Sequence, residues 1–155
     1  MLLVKNAKVY APEYLGKKDL LICGGKIECI QDSIRELPVE CEVLDAEGKI
    51  LTPGFLDQHV HITGGGGEGS FHTRTPELQM SELVENGITT VVGLLGTDGI
   101  TRSVDNLYAK TRVLCEEGVS AYMLTGAYRY PSPTITGETD RDIVFVNEIL
   151  GVKLA

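Results

Sequence analysis

Short runs of alternating apolar and polar residues fill the first 53 residues of the chain. Such alternation is typical of strands with one buried face. The pair Gly24 and Gly25 favours a hairpin, because glycine readily adopts the positive φ angles of a tight turn. The predicted strands are Leu2–Tyr10, Asp19–Cys23, Lys26–Ile30, Glu42–Leu44 and Lys49–Leu51. We therefore predict that residues 1–53 form a small sheet, which would need to pack on another part of the molecule to be stable.

From Gly54 onward, strand-like runs alternate with helical patterns. The predicted strands are Phe55–His61, Thr89–Leu95, Ala121–Thr125 and Gly151–Ala155. The predicted helices are Thr75–Asn86, Ser103–Glu117 and Asp140–Leu150, although residues 143–146 (IVFV) also read as a strand. The strand starts recur about every 30 residues, the length of one βα unit. Residues 54–155 are therefore predicted to be α/β, either a (β/α)8 barrel or a doubly wound sheet. No predicted strand is followed by a GxGxxG sequence, which argues against a doubly wound sheet that binds a dinucleotide.

Local signals mark the ends of the first two helices. Thr75 is the predicted N-cap of the first, with Pro76 in its first turn and Gly87 as its stop. Ser103 is the predicted N-cap of the second, which ends before Gly118.

The composition is acidic. The chain of 155 residues carries 14 basic and 22 acidic side chains, which gives a formal net charge of −8. Nucleic acids and anionic membranes require clustered Lys and Arg, so neither is an expected partner. The sequence has no apolar run long enough to span a bilayer and no signal-peptide pattern at its start, so we expect a cytoplasmic protein.

Two histidines end the first strand of the α/β region. Strand side chains alternate between faces, so His59 and His61 point the same way. Two imidazoles at this spacing can bind one zinc ion. The alternative is a polar or packed histidine pair without a metal. The surrounding sequence, an apolar strand before Gly64–Gly67, favours the metal.

The four consecutive glycines lead directly to Glu68. Glycines carry an entropic cost in folding, but they let the backbone approach a ligand closely. The alternative is a flexible loop.

Other polar residues follow the later strands. Thr97 and Asp98 end the second, Tyr128 ends the third, and Lys153 lies inside the fourth. The carboxyl ends of parallel strands form the face on which barrel enzymes build active sites. A lysine that points into a barrel can act as a Schiff-base nucleophile or, once carboxylated by CO2, can bridge two metals. The alternative for Lys153 is a solvent-facing position on an edge strand.

These segments carry a family resemblance. The stretch PGFLDQHVH at 53–61 resembles the first-strand signature of the amidohydrolase superfamily of metal-dependent hydrolases. The blocks HVHITGGGGE, TRTPE, VVGLLGTD, AKTR, MLTGAY, TITG and GVK, in this order, resemble the bacterial isoaspartyl dipeptidases more specifically. The resemblance covers nearly the whole chain. It implies a (β/α)8 barrel of which residues 54–155 form the first half, preceded at 1–53 by part of a small β-sandwich.

The resemblance also implies an activity, the hydrolysis of β-aspartyl dipeptides by a hydroxide that bridges two zinc ions. A metal and a phenol together stabilise the charge of the tetrahedral state. The implied roles are His59 and His61 as ligands of the more buried zinc, Lys153 as the carbamylated bridge, Glu68 and the backbone around Gly66 for the substrate α-ammonium, Thr97 for its α-carboxylate, and Tyr128 for the scissile carbonyl.

Several parts of such a site are expected to lie outside these residues: two histidines for the second zinc, an aspartate acid/base and substrate-binding arginines. We therefore expect the 155 residues to be inactive alone, and the full-length protein to be a homo-oligomer. Two alternatives stay open. One is a cyclic-amide hydrolase of the same superfamily, such as a dihydroorotase or hydantoinase. The other is an inactive fragment or interaction protein.

Overall fold

A computed structural model describes residues 1–35 and 37–154, so Ala155 of the last predicted strand lies outside the described residues. The chain divides into two compact units, Met1–Pro53 and the residues from Gly54 onward. The strands are β1 (Leu2–Tyr10), β2 (Tyr14–Cys23), β3 (Lys26–Gln31), β4 (Glu42–Asp45), β5 (Ile50–Leu51), β6 (Phe55–Val60), β7 (Ile88–Gly93), β8 (Ser120–Gly126) and β9 (Ile149–Lys153). The helices are α1 (Met80–Glu85), α2 (Val104–Glu116) and α3 (Thr139–Phe145), with a 3₁₀ turn at Phe71–Thr73.

The first unit is one mixed sheet. Its strand order is β3-β2-β1-β4, and β5 also pairs with β1. The pairs β1–β2 and β2–β3 are antiparallel, whereas β4 and β5 run parallel to β1. The predicted hairpin at Gly24 and Gly25 is confirmed, and β2 begins earlier than predicted because Tyr14 pairs with Tyr10. The buried core consists of Val4, Ala7, Val9 and Leu20.

The second unit is a parallel sheet with helical connections. Its strand order is β6-β7-β8-β9, and every neighbouring pair is parallel. The helices pack on one face, where apolar side chains from strands and helices form a single core. Its most buried members include Ile62, Leu83, Val91, Leu107, Leu114, Met123 and Ile149. The predicted succession of βα units is confirmed.

Helix α2 follows its prediction closely. The Ser103 hydroxyl accepts a hydrogen bond from the Asn106 N–H at 3.1 Å, as an N-cap does. At 13 residues α2 is the longest helix, and within the described part of the chain none combines the length and apolar character needed to cross a membrane.

Helix α1 is shorter than predicted, and its N-cap is different. It begins after Gln79, whose N–H donates to the Glu82 carboxylate at 2.7 Å. Thr75, the predicted N-cap, lies in an extended segment, and its hydroxyl accepts instead from the Gly65 N–H at 2.7 Å. The prediction was wrong because this partner lies ten residues away, whereas cap signals are local.

Helix α3 ends five residues before the predicted end. It stops at Phe145, because Ile149 pairs with Met123 and begins β9. The strand alternative for residues 143–146 is wrong, since residues up to 145 are helical.

Candidate active site

The candidate residues share one face of the parallel sheet. Val60 packs into the core beneath the helices, so its neighbours His59 and His61 point to the opposite face. On β8, the Thr125 hydroxyl reaches Asp142 of α3 and therefore lies on the helix side. Gly126 and its paired residue Lys153 then lie on the side of the histidines. The described strands thus place His59, His61 and Lys153 on the face that the helices leave open.

The ring of His61 is held in one orientation. Its Nδ1 lies 3.0 Å from the Leu94 carbonyl oxygen, and because a carbonyl only accepts, Nδ1 carries the proton of this hydrogen bond. In the neutral ring, Nε2 then keeps its lone pair free. Gly65 and Gly96 flank the ring, since a β-carbon at either position would lie 3.3 or 3.2 Å from its atoms. Imidazoles that bind metals are commonly oriented by a backbone carbonyl in this way.

His59 and His61 form a pair with perpendicular rings, whose centroids are 5.5 Å apart. Their chemistry fits zinc, which binds imidazole nitrogens. Among residues 1–35 and 37–154, no group of three or more His, Cys, Asp or Glu side chains is placed to hold a metal ion. Lys153 stands on the other edge strand, with β7 and β8 between it and the histidines.

The glycine loop is clamped against the segment that follows it. The Gly65 N–H donates to the Thr75 hydroxyl, and the Thr75 N–H donates to the Gly65 carbonyl at 2.9 Å. Gly66 has φ +72°, and a β-carbon there would collide with the carbonyl oxygen of Thr73. The loop is therefore fixed by close backbone packing, which argues against the alternative of a flexible loop.

Glu68 and Thr97 meet across a cleft of about 440 Å³ that Gly66 also lines. The Thr97 hydroxyl donates to Glu68 Oε1 at 2.6 Å. This hydrogen bond, the Glu68 N–H and the nearby His61 lower the pKa of the Glu68 carboxyl. An ionised carboxylate is thus held beside a hydroxyl at the end of β7.

An ionic network, of which Arg102 is the buried member, adjoins this cleft. Asp98 follows Thr97 and lies 3.7 Å from Arg74 and 3.5 Å from Arg102. Hydrogen bonds from the Thr101 hydroxyl and N–H, together with the Ile100 N–H and the charge of Arg74, lower the pKa of Asp98 to about 2. Sequence reasoning placed Asp98 on this rim but missed Arg102. The spacing of four residues between them was the only local signal.

Tyr128 and Lys153 form the third group. The Lys153 ammonium lies 5.2 Å from the centroid of the Tyr128 ring, which is half-exposed. The structure thus brings the predicted residues together as three sets: His59 with His61; Gly66, Glu68 and Thr97 around one cleft; and Tyr128 with Lys153.

Comparison with solved structures gives two strong matches. Over 98% of its length, the chain superimposes on the β-aspartyl dipeptidase of Fervidobacterium islandicum AW-1 with a TM-score of 0.93 and 52% identity. A structure of that enzyme in complex with β-Asp-Leu dipeptide matches with a TM-score of 0.92. The chain spans 42% and 40% of these two structures.

Comparison with curated proteins finds dihydroorotases. The dihydroorotase of Listeria monocytogenes serotype 4a is 36% identical over 126 residues, which are 79% of this chain and 28% of the relative. The chain thus spans about a quarter of the length of the curated relatives it matches. No family model matches the chain.

These matches confirm the predicted fold class, the part of an amidohydrolase-type barrel that contains its first four strands. The chain is similar along nearly its whole length to β-aspartyl dipeptidases, and the resemblance to this branch of the amidohydrolase superfamily is confirmed.

Proposed function

We propose that the protein hydrolyses the isopeptide bond of β-aspartyl dipeptides with the help of zinc. The observation that carries this proposal is the contact between Glu68 and Thr97 at 2.6 Å, beside a clamped glycine loop. A carboxylate and a hydroxyl so close together suit a ligand that carries an ammonium and a carboxylate on one carbon. The similarity to an enzyme that was crystallised with β-Asp-Leu supports the same ligand class.

Substrate binding would exchange one hydrogen bond for two. In the free site the Thr97 hydroxyl donates to Glu68. The α-ammonium of the aspartyl residue would take over Glu68, with help from the backbone at Gly66, which lines the same cleft. The Thr97 hydroxyl would then be free to donate to the α-carboxylate. A substrate without a free α-amine would leave this exchange incomplete.

The metal would be held by His59 and His61, with Lys153 as a third ligand once it is carbamylated. Zinc bound there supplies a water that is ionised at neutral pH and a Lewis acid for the scissile carbonyl. In the neutral ring, the hydrogen bond from His61 Nδ1 to the Leu94 carbonyl leaves Nε2 as the nitrogen that would bind the metal. The Tyr128 hydroxyl would donate to the scissile carbonyl oxygen as negative charge develops on it.

A second candidate is the opening of a cyclic amide, because the curated relatives are dihydroorotases. The two functions differ in what Glu68 must recognise, since only a dipeptide presents a free α-ammonium group. A homo-oligomeric assembly and a cytoplasmic location stay predictions from the sequence.

The test is Glu68→Gln in the complete, zinc-loaded gene product, with Glu116→Gln on the exposed side of α2 as the matched control. Loss of one charged hydrogen bond should lower kcat/KM for β-Asp-Leu about 10- to 150-fold, while the control stays at the wild-type value. Unchanged kcat/KM in Glu68→Gln would refute the role of Glu68.

Dihydroorotate turnover without β-Asp-Leu turnover would favour the second candidate. The zinc content is measured separately, in the gene product purified without added metal. Near-zero zinc in an active preparation would refute the metal assignment, and near-zero zinc with no activity before or after zinc loading would favour an interaction protein.

A further inference from the structure

The side chain of Arg102 adjoins the candidate substrate cleft through Asp98, which lines the cleft, and it contacts three segments of the chain. Only 5% of its surface is exposed. Its Nε donates to the Thr63 carbonyl and its Nη2 to the Thr75 carbonyl, both at 2.9 Å. Its Nη1 lies 3.5 Å from Asp98 Oδ2. All three guanidinium nitrogens are therefore engaged, with acceptors from three separate segments.

The glycine loop leaves room for this guanidinium. Gly64 has φ +83°, and a β-carbon at this position would lie 2.3 Å from the Thr75 carbonyl oxygen and 2.9 Å from Arg102 Nη2, the two atoms that form this hydrogen bond. Thr75 contacts both partners: its carbonyl accepts from Nη2 of Arg102, and its N–H and hydroxyl hold Gly65. Two residues of the loop, Gly66 and Gly67, separate Gly65 from Glu68. Arg102 is thus connected to Glu68 through the clamp.

The other end of the guanidinium reaches the loop after β7. Asp98 accepts hydrogen bonds from the N–H groups of Ile100 and Thr101, at 3.1 and 2.8 Å, so its carboxylate is fixed within its own turn. Thr97 precedes it directly. The contact of Thr97 with Glu68 closes a ring of interactions that starts and ends at Arg102.

We propose that Arg102 is a positioning residue, which holds the loops of Glu68 and Thr97 at the separation that lets them bind the two charged groups of one aspartyl residue. This inference rests on the proposed function. Arg102 does not touch the substrate in this account. Its effect depends on the planar fork of the guanidinium, because a lysine in its place offers a single point charge and cannot bind the three acceptors in the same way.

The test compares two substrates in the complete, zinc-loaded protein. β-Asp-Leu and N-succinyl-Leu differ only in the α-amine that Glu68 would bind. The ratio of their kcat/KM values therefore measures recognition of the amine, and partial unfolding does not change it because both substrates lose the same fraction of enzyme. We expect Arg102→Lys to lower this ratio at least about tenfold, since small misplacement of binding groups has effects of this size.

Arg112→Lys is the matched control, since Arg112 lies on α2, the helix that begins two residues after Arg102, and pairs with Glu148 away from the cleft. It should leave the ratio at the wild-type value. Should Arg102→Lys fail to fold, Asp98→Asn removes the same link from the other side, and it too should lower the ratio. An unchanged ratio in the folded variant would overturn this inference while leaving the proposed function intact. A wild-type enzyme that does not cleave β-Asp-Leu would overturn both.

Discussion

Replacement of Asp142 by asparagine tests how the loop after β8 is held. Asp142 is fully buried and accepts four hydrogen bonds. One oxygen accepts from the Thr125 hydroxyl and the Ile135 N–H, at 2.5 and 3.0 Å. The other accepts from the Thr136 N–H and hydroxyl, at 2.8 and 2.7 Å. The carboxylate thereby ties helix α3 to β8 and to the loop that follows it.

The size of the effect follows from this arrangement. An asparagine keeps one oxygen and turns the other into an NH2 group. A hydroxyl can rotate to accept from that group, but whichever way the amide faces, one backbone N–H, of Ile135 or of Thr136, loses its acceptor. An unsatisfied buried donor costs about 1–3 kcal/mol, and the remaining bonds lose their charge. We therefore expect local destabilisation of about 2–3 kcal/mol.

Hydrogen exchange measures this directly. In the complete protein at pH 7, amides of the segment 130–137 should exchange roughly 30- to 150-fold faster in Asp142→Asn, because each 1.36 kcal/mol corresponds to about a factor of ten. Asp140→Asn is the matched control. Asp140 is exposed on the same helix, and its carboxylate accepts from the N–H of the adjacent Arg141. Equal exchange in wild type and Asp142→Asn would refute the reasoning.

Three further predictions concern the glycine loop and its supports. Gly66→Ala should destabilise the protein by more than Gly118→Ala. Both glycines have positive φ, so the backbone strain of an alanine costs about 1–2 kcal/mol at each, but of the two new β-carbons only that at Gly66 meets backbone atoms. Equal shifts in Tm would contradict this. Thr75→Val should weaken the loop clamp by about 1 kcal/mol and raise KM for β-Asp-Leu. Thr75→Ser keeps the hydroxyl, so its stability and its KM should stay at the wild-type values. The pKa of Asp98 is lowered to about 2, so its stabilisation is complete above its ordinary pKa near 3.8 and is lost as pH falls toward 2. The difference in Tm between wild type and Asp98→Asn should therefore be constant from pH 5 to 8 and shrink below pH 4, and a difference that already shrinks near pH 6 would contradict the assignment.

Features that depend on neighbouring residues could be predicted from the sequence. Ser103 caps α2 through an N–H three residues away, so its role is visible in the local sequence. That His59 and His61 point to the same face follows in the same way from the alternation of side chains along a strand. The contact between Glu68 and Thr97 could not be predicted from the local sequence, because the two residues are 29 positions apart. Only the family resemblance placed them in one site.

Features that depend on distant partners were missed or misread. Thr75 has every local sign of an N-cap, but its hydroxyl is used by Gly65. The predicted helix Asp140–Leu150 is cut short because its last residues pair with β8 as a strand. Arg102 binds carbonyls that lie 39 and 27 positions away. Such contacts are set by tertiary packing, which no local pattern encodes.

The most direct test of the account is the turnover of three substrates by the complete, zinc-loaded protein: β-Asp-Leu, α-Asp-Leu and dihydroorotate. Release of leucine from the first two and ring opening of the third are measured side by side. We expect rapid release of leucine from β-Asp-Leu, with far lower kcat/KM for the other two substrates. Turnover of dihydroorotate or α-Asp-Leu at a rate equal to or above that of β-Asp-Leu would contradict it.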